Sequence, residues 1–133
     1  MQTETSKDII SIIEVQLLVN SFYEKVKQDP VLAPIFYAVI QDRWPHHLEK
    51  MYRFWQTVLL EEQTYFGAPF PPHANLPVTK DHFDRWLSLW YETIDQYFTG
   101  AKADEAKWRS SRMAEVFLAK IEYYRNNAAK PLI

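Results

Sequence analysis

His73 lies in a short segment in which three of seven residues are proline, Pro71-Pro72-His73-Ala74-Asn75-Leu76-Pro77. Proline fixes its own φ angle and disfavours helix at the residue before it, so this segment interrupts a helix and has a stiff backbone. A histidine on a stiff loop between two long helical patterns suits metal ligation, because its imidazole is held in one orientation. One histidine can hold an iron when a porphyrin supplies four further ligands. His73 is therefore a candidate ligand of a haem iron.

The number and spacing of histidine and cysteine residues argue against metal centres other than a histidine-ligated haem. The chain has four histidines and no cysteine, which excludes disulfides, iron–sulfur clusters, thiolate-ligated haem and haem attached through C-x-x-C-H. No two histidines are four residues apart and no H-E-x-x-H motif occurs, so a structural zinc site is not indicated. The four histidines are His46, His47, His73 and His82.

Apolar residues recur at spacings of three and four along most of the chain, which predicts an all-α domain with four principal helices. We expect the first helix to begin near Ser6 or Asp8, either of which can cap it, and to end at Asp29-Pro30. The others are predicted at residues 45–62, 79–100 and 102–126. Residues 31–37 are apolar and proline-bounded, and they predict a turn or a short 3₁₀ segment.

Residues 63–78 are predicted to form a loop with a single helical turn around residues 73–76. A loop of this length inside a compact domain is usually functional. An ordinary helical bundle does not need such a loop, although a helical bundle that serves only as an interaction module remains an alternative reading.

Two sets of side chains could complete a haem site. Large apolar groups from several segments could line a flat slot. Three polar groups embedded in apolar stripes would each cost about 1–3 kcal/mol if buried without a partner, so together they indicate a polar ligand such as an iron-bound diatomic molecule. The apolar set is Phe36, Met51, Phe54, Leu76, Phe83 and Trp86, and the polar set is Tyr23, His47 and Trp86.

Length and charge limit the remaining possibilities. We expect one domain over residues 1–133, with flexible tails at 1–8 and 127–133. The net charge of -2 gives no basic excess for nucleic acid or an anionic membrane. No apolar run approaches the roughly 20 residues of a membrane span, and the polar N-terminus does not resemble a signal peptide. A cytoplasmic protein is expected.

Several segments, in their order and spacing, together resemble the truncated haemoglobins, and specifically the third group of that family. The glycine-pair motifs of the other two groups are absent, as expected for the third. The resemblance covers about residues 15–118, nearly the whole predicted domain. It is carried by residues 22–26 and 29–36, by His47, Met51, Phe54 and Trp55, and by residues 73–77, 82–87 and 112–114.

The resemblance implies a two-over-two helical sandwich around haem b. It also implies that His73 is the proximal iron ligand, that Tyr23, His47 and Trp86 lie on the distal side, and that Phe36 packs on the porphyrin. Whether His47 coordinates iron or gates access stays open. The residues that bind the propionates are not assigned by any motif, and Lys50, Arg53 and Arg85 are candidates.

The function implied is reversible binding of O₂, NO and CO, for O₂ or NO chemistry rather than bulk O₂ storage. The alternative is a haem enzyme with peroxidase-like or NO dioxygenase activity, which would need a reductase partner. The residue pattern does not decide between these two.

Overall fold

The computed structural model describes residues 7–127, which form five α-helices and one 3₁₀ turn. No strand occurs within these residues, only an isolated bridge between Lys7 and Phe98. Nor is any helix in this range both long enough and apolar enough to cross a membrane. The helices are α1 (Ile12–Gln28), α2 (Ala33–Ile40), α3 (Trp44–Leu60), α4 (Lys80–Tyr97) and α5 (Ala101–Asn127), and the 3₁₀ turn is Pro71–His73.

The helices pack around α1, which contacts α2, α3 and α4, while α5 packs mainly on α4 and touches α3. The apolar face of α1 packs in the core, and all of its members are buried. Full burial of such a side chain stabilises the fold by about 1.5–3 kcal/mol. The members of this face are Val15, Leu18, Val19, Phe22 and Val26.

The predicted start of the first helix near Ser6 or Asp8 is wrong. Helix α1 begins after Ser11, whose Oγ accepts a hydrogen bond from the Ile13 N–H at 3.3 Å. Asp8 caps α5 instead, because its carboxylate accepts from the backbone N–H of Lys102 at 2.9 Å and of Ala103 at 2.8 Å. Its partners lie at the far end of the chain, so local sequence could not assign this role.

Gly100, the last residue of the helix predicted at 79–100, lies outside α4 and contacts Asp8. Helix α4 ends at Tyr97. Gly100 has a φ of +130°, and a Cβ built there would lie 2.7 Å from Cγ of Asp8. A side chain would therefore clash with the carboxylate that caps α5, and only glycine fits.

The predicted turn at residues 31–37 is also wrong, because α2 is a full α-helix of eight residues. Asp29 begins it: its Oδ2 accepts from the backbone N–H of Val31 at 3.1 Å and of Leu32 at 3.0 Å. Its other oxygen, Oδ1, accepts from Nε of Arg85 on α4 at 2.5 Å. Buried backbone N–H groups need such partners, so this carboxylate makes the short helix possible.

The remaining boundaries follow the sequence closely. The helices predicted at 45–62, 79–100 and 102–126 are confirmed, with ends that shift by at most three residues. The loop between α3 and α4 is confirmed, and its 3₁₀ turn begins two residues before the predicted one. The predicted tails lie mostly outside residues 7–127, although the carbonyl of Lys7 accepts from the Thr99 N–H at 3.1 Å.

Candidate functional site

One cavity is lined by all nine of the side chains that were predicted from the sequence to form a haem site. Helices α1, α2, α3 and α4 and the loop between α3 and α4 each contribute at least one of them. Helix α5 supplies a further wall, which the sequence did not assign, through Ser110, Met113, Ala114 and Phe117. The nine residues are Tyr23, Phe36, His47, Met51, Phe54, His73, Leu76, Phe83 and Trp86.

His73 ends the 3₁₀ turn, and its ring is partly buried against Phe117, with ring centroids 5.0 Å apart. Its Nδ1 donates a hydrogen bond to the carbonyl of Pro69 at 2.7 Å. That bond places the proton on Nδ1 and leaves Nε2 with a lone pair. Burial lowers the pKa of His73, and the Pro69 carbonyl opposes this only in part. The ring is therefore neutral at pH 7, the form that ligates metals.

Side chains from α3 and α5 hold the loop that carries His73. At its start, Oγ1 of Thr57 accepts from the backbone N–H of Thr64 at 3.0 Å and of Tyr65 at 2.9 Å. At its end, Arg125 donates to the carbonyls of Leu76 at 3.2 Å and Val78 at 2.9 Å. Neither Thr57 nor Arg125 was predicted as a site residue, because nothing in the neighbouring sequence of either one indicates a backbone partner elsewhere.

Tyr23 and His47 form a hydrogen-bonded pair elsewhere in the cavity. The Tyr23 hydroxyl lies 3.1 Å from Nε2 of His47, and the two rings meet edge to face at 5.1 Å. Burial raises the pKa of Tyr23 well above its usual range, so the phenol keeps its proton. Burial, together with the charges of Lys50, His73 and His46, lowers the pKa of His47 to about 4. Both groups are therefore neutral at pH 7.

Trp86 completes this part of the lining. Its ring stacks on Trp90 with centroids 5.7 Å apart and an interplanar angle of 13°, and the edge of Phe22 contacts it at 5.4 Å. Because Trp90 and Phe22 are themselves almost fully buried, the orientation of Trp86 is set by packing in the core.

The other two histidines have different surroundings. His46 is exposed. His82 lines the cavity as well, but its Nδ1 accepts from the Thr79 N–H at 3.0 Å in the capping box of α4. Within residues 7–127, no group of three His, Cys, Asp or Glu side chains is arranged to hold a metal ion. Among the described residues, protein side chains alone would therefore not complete the coordination of a metal in this cavity.

Two of the three basic residues considered for the propionates have other partners. Arg85 donates to Asp29, and Arg53 donates to Glu49 at 2.6 Å and to Gln56 at 3.0 Å. Lys50 is exposed, and its charge contributes to the low pKa of His47. Lys50 therefore remains a candidate partner for a propionate.

This donor set fits a metal held in a flat apolar macrocycle. The cavity offers one neutral imidazole with a free Nε2, a neutral phenol–imidazole pair, and apolar or aromatic groups over most of the rest of its surface. A hydrophobic slot with few polar groups is how proteins bind organic cofactors.

Comparison with known proteins decides the family. The model of the bacterial-like globin family matches residues 11–119, a span that contains the whole lining of the cavity. The chain belongs to the bacterial-like globins. This globin is also 33% identical over 104 residues to the "Group 3 truncated hemoglobin ctb" of Campylobacter jejuni subsp. jejuni, a match that covers 75% of this chain and 82% of that protein.

A solved structure agrees with this assignment. The crystal structure of the group III truncated haemoglobin from Campylobacter jejuni matches this globin with a TM-score of 0.78 at 30% identity, over 91% of this chain and 95% of that chain. The predicted resemblance to the third group and the predicted truncated-globin fold are thereby confirmed. Membership of the family also makes this a haem-binding globin.

Proposed function

We propose that this globin holds haem b through His73 and reversibly binds O₂, NO and CO, for O₂ or NO chemistry rather than bulk O₂ storage. The observation that supports this most strongly is the convergence, in one apolar cavity, of a loop-held neutral imidazole and the neutral Tyr23–His47 pair. A cytoplasmic location is part of the same proposal.

The chain's own residues supply the parts of such a site. Nε2 of His73 would ligate the iron, and the bond from Nδ1 to the Pro69 carbonyl fixes the tautomer and the ring orientation. Phe36 and the other apolar lining residues would bury the macrocycle, and Lys50 would pair with a propionate. When bound, haem supplies an iron centre at which small diatomic ligands coordinate.

The Tyr23–His47 pair determines how a ligand in the cavity is stabilised. If His47 carries its proton on Nε2, that N–H donates to the Tyr23 oxygen, and the phenolic hydrogen is then available to a ligand. The Trp86 indole N–H is proposed as the second donor. Each bond adds about 1 kcal/mol and slows ligand release several-fold, because 1.4 kcal/mol corresponds to tenfold. Slow release suits ligand chemistry better than delivery.

Stopped-flow measurement of O₂ dissociation from the haem-loaded protein tests this proposal. We expect Tyr23→Phe and Trp86→Phe to release O₂ several-fold faster than wild type, because each variant lacks one donor. Tyr123→Phe, at an exposed position on α5, is the matched control and should release O₂ at the wild-type rate. Equal rates in all four proteins would contradict the roles of Tyr23 and Trp86.

The role of His47 needs a separate measurement. If His47 gates access, His47→Leu should change the association rate of CO and leave the ferric spectrum five-coordinate. If His47 ligates iron, the wild-type ferric spectrum should be six-coordinate and low-spin, and the variant should lose that signature. The low pKa of His47 keeps its nitrogen able to ligate at pH 7, so both outcomes are chemically open.

The enzyme alternative draws on the same neutral pair. A half-buried imidazole with a pKa of about 4, bonded to a phenol, can pass a proton to or from a reacting ligand, as peroxidase-like chemistry requires. Steady turnover of peroxide or NO with a reductant, lost in His47→Leu, would favour this alternative and a reductase partner. Absence of a Soret band after haem addition would instead favour a haem-free interaction module.

A further inference from the structure

Three of the five tryptophans form a continuous stack that begins at the cavity. Trp86 lines the cavity, and its ring lies on Trp90 with centroids 5.7 Å apart and an interplanar angle of 13°. Trp90 in turn stacks on Trp55 at 4.8 Å and 27°. Trp86 and Trp90 are four residues apart on one face of α4, whereas Trp55 comes from α3. The proposed ligand contacts use only Trp86.

A groove between α3 and α5 connects this stack to the protein surface. Trp55 lines the groove as well as the cavity, and Trp108 lines the groove from α5. Trp108 is 61% exposed, whereas Trp55 is 3% exposed and Trp90 only 1%. The four rings therefore lead from the cavity, through the core, to an indole that molecules in solution can contact.

The chemistry of indole gives such an arrangement a use. Indole is among the side chains that lose one electron most readily, and the chain has no cysteine to compete with it. Stacked rings pass electrons between neighbours because their π systems overlap. Nε1 of Trp90 donates to the carbonyl of Ala106 at 3.4 Å, so a transient positive charge on this ring faces the negative end of a dipole.

Solvation gives the transfer a direction. A charge in an apolar interior costs free energy, so an oxidised indole is less stable at Trp90 than at Trp108, where water solvates it. Positive charge that enters at Trp86 therefore moves outward, and electrons move inward.

We propose that Trp86, Trp90 and Trp55 form a one-electron relay from the cavity to a surface site at Trp108, where a phenol or hydroquinone is oxidised. The inference rests on the peroxidase-like alternative of the proposed function for its oxidant, which is hydrogen peroxide reduced in the cavity. Bound haem supplies the one-electron chemistry that this reduction needs.

The electrons and protons of this reaction balance. Hydrogen peroxide takes up two electrons and two protons and gives two molecules of water. The electrons leave Trp86 one at a time, and each is replaced through Trp90 and Trp55 from Trp108. Hydroquinone returns both electrons to Trp108, releases two protons and becomes a quinone. The reductant never enters the cavity.

The lining of the groove suits a neutral aromatic reductant. Val58 and Val116 offer apolar contacts, and Trp108 offers a ring on which an aromatic molecule can stack. Arg109 and Arg112 also line the groove, but each pairs with a glutamate of its own helix, at 3.0 Å and 3.4 Å. Because these charges are paired, the groove favours a neutral phenol or hydroquinone over an ion.

Electron paramagnetic resonance of the ferric haem-loaded protein, frozen after mixing with hydrogen peroxide, tests the relay. Wild type should show a tryptophan radical, and mass spectrometry with a spin trap should locate the adduct at Trp108. Trp90→Phe keeps an aromatic ring that is harder to oxidise, so it should reduce this adduct several-fold. Trp44→Phe, outside the stack and the cavity lining, should match wild type. Equal Trp108 adducts in wild type and Trp90→Phe would overturn the proposal.

Trp108→Phe tests the surface site without disturbing the core. Oxidation of hydroquinone by peroxide should fall several-fold, and the tryptophan radical should persist longer on the buried rings. Tyr123→Phe changes another exposed aromatic residue of α5 that lies outside the groove, so it should leave both measurements unchanged. Unchanged hydroquinone oxidation and radical lifetime in Trp108→Phe would overturn the assignment of the surface site.

An ultraviolet flash, which ejects electrons from tryptophans at random, tests the relay without haem or peroxide. In the purified protein, with or without haem, the spin-trap adduct at Trp108 should fall several-fold in Trp55→Phe and stay at the wild-type level in Trp44→Phe. Equal adducts in Trp55→Phe and wild type would overturn the relay. A relay seen after the flash, with no tryptophan radical after peroxide, would instead contradict the peroxidase-like alternative and leave the relay supported.

Discussion

Helices carry the Tyr23–His47 side of the cavity, whereas a loop between α3 and α4 carries His73. Tyr23 and His47 project from two long helices whose apolar faces are packed together in the core. His73 lies in a segment with a single 3₁₀ turn, and three devices orient it: the neighbouring prolines, the bond to Pro69, and the tethers from Thr57 and Arg125.

The difference shows two ways of orienting a functional imidazole. On a helix, the position of His47 follows from packing that also stabilises the rest of the fold. The loop has only one 3₁₀ turn of regular structure, so proline stiffness, a handful of polar bonds and the ring contact with Phe117 must orient His73. Changes on the helical side should therefore alter stability and ligand release together. Changes on the loop should alter haem binding with little effect on the helices.

The largest effect is expected from His73→Ala on the loop. Loss of the only imidazole with the expected proximal placement should weaken haem binding at least a hundredfold, since ligating side chains dominate the affinity of such sites. The far-ultraviolet circular dichroism of the haem-free variant should keep its helical signal. His46→Ala, at an exposed histidine, is the control and should bind haem normally. Normal five-coordinate haem in His73→Ala would contradict the assignment of the iron ligand.

A smaller effect is expected from Asp29→Asn, which weakens the corner between α1, α2 and α4 on the helical side. Asp29 is 3% exposed and accepts from Arg85 and from two backbone N–H groups. Burial opposes its ionisation, but the bonds from Arg85, Leu32 and Val31 outweigh burial and hold the pKa of this carboxyl below its usual value. We expect a loss of about 2 kcal/mol in the free energy of unfolding, measured by urea denaturation.

The control for this change is Glu24→Gln. Glu24 makes an exposed pair with Lys27 at 3.6 Å, and such pairs contribute little. Its loss should cost less than about 0.5 kcal/mol. If both variants lost the same stability, the Asp29 network would not be what holds the corner together.

Acid should destabilise the haem-free protein through His47. The folded pKa of about 4 lies below the ordinary value of 6.5, so the unfolded chain binds more protons between these values. Stability should therefore fall as the pH falls from about 6.5 to 4, and this contribution levels off below pH 4. After allowance for the partial exposure of the ring, we expect His47 to account for about 1 kcal/mol of the loss at pH 5.

His47→Gln isolates that contribution. Urea denaturation at pH 7.5 and at pH 5 should show a smaller loss of stability in the variant than in wild type. His73 acts in the same direction, because burial lowers its pKa as well, so some loss should persist in the variant. An unchanged loss in His47→Gln would mean that His47 titrates at an ordinary pKa in the folded protein.

The smallest effect is expected from Arg125→Gln at the end of the loop. Its two bonds to backbone carbonyls are partly exposed to solvent, so their loss should cost about 0.5–1 kcal/mol. Haem transfer to an acceptor apoprotein should become a few-fold faster, because His73 is less firmly oriented. Arg112→Gln, which breaks an exposed pair with Glu115, should leave the transfer rate unchanged. If Arg125→Gln lost more stability than Asp29→Asn, the bonds that hold the loop would contribute more to stability than the buried network on the helical side, contrary to this expectation.

Most of the helices and the lining of the cavity could be predicted from the sequence. The apolar stripes of α1, α3 and α4 repeat within a few turns, and the prolines around His73 act on their own neighbours, so local information was sufficient. The start of α1 and the helical state of α2 were predicted wrongly. Ser11 rather than Asp8 caps α1, because Asp8 caps α5 at Ala103, 95 residues away. The Asp29 carboxylate that begins α2 is itself held by Arg85, 56 residues away.

The sequence by itself determined the helical pattern, the stiff loop and the set of residues that face one another, because periodicity and proline geometry are local properties. Only the tertiary structure decided how those residues are held. It paired Tyr23 with His47, placed the His73 proton on the side of Pro69 and tied the loop to Arg125. It also stacked Trp55 on Trp90 and Trp86. Hydrogen-bond partners and burial arise from contacts between distant segments, and no pattern of neighbouring residues records them.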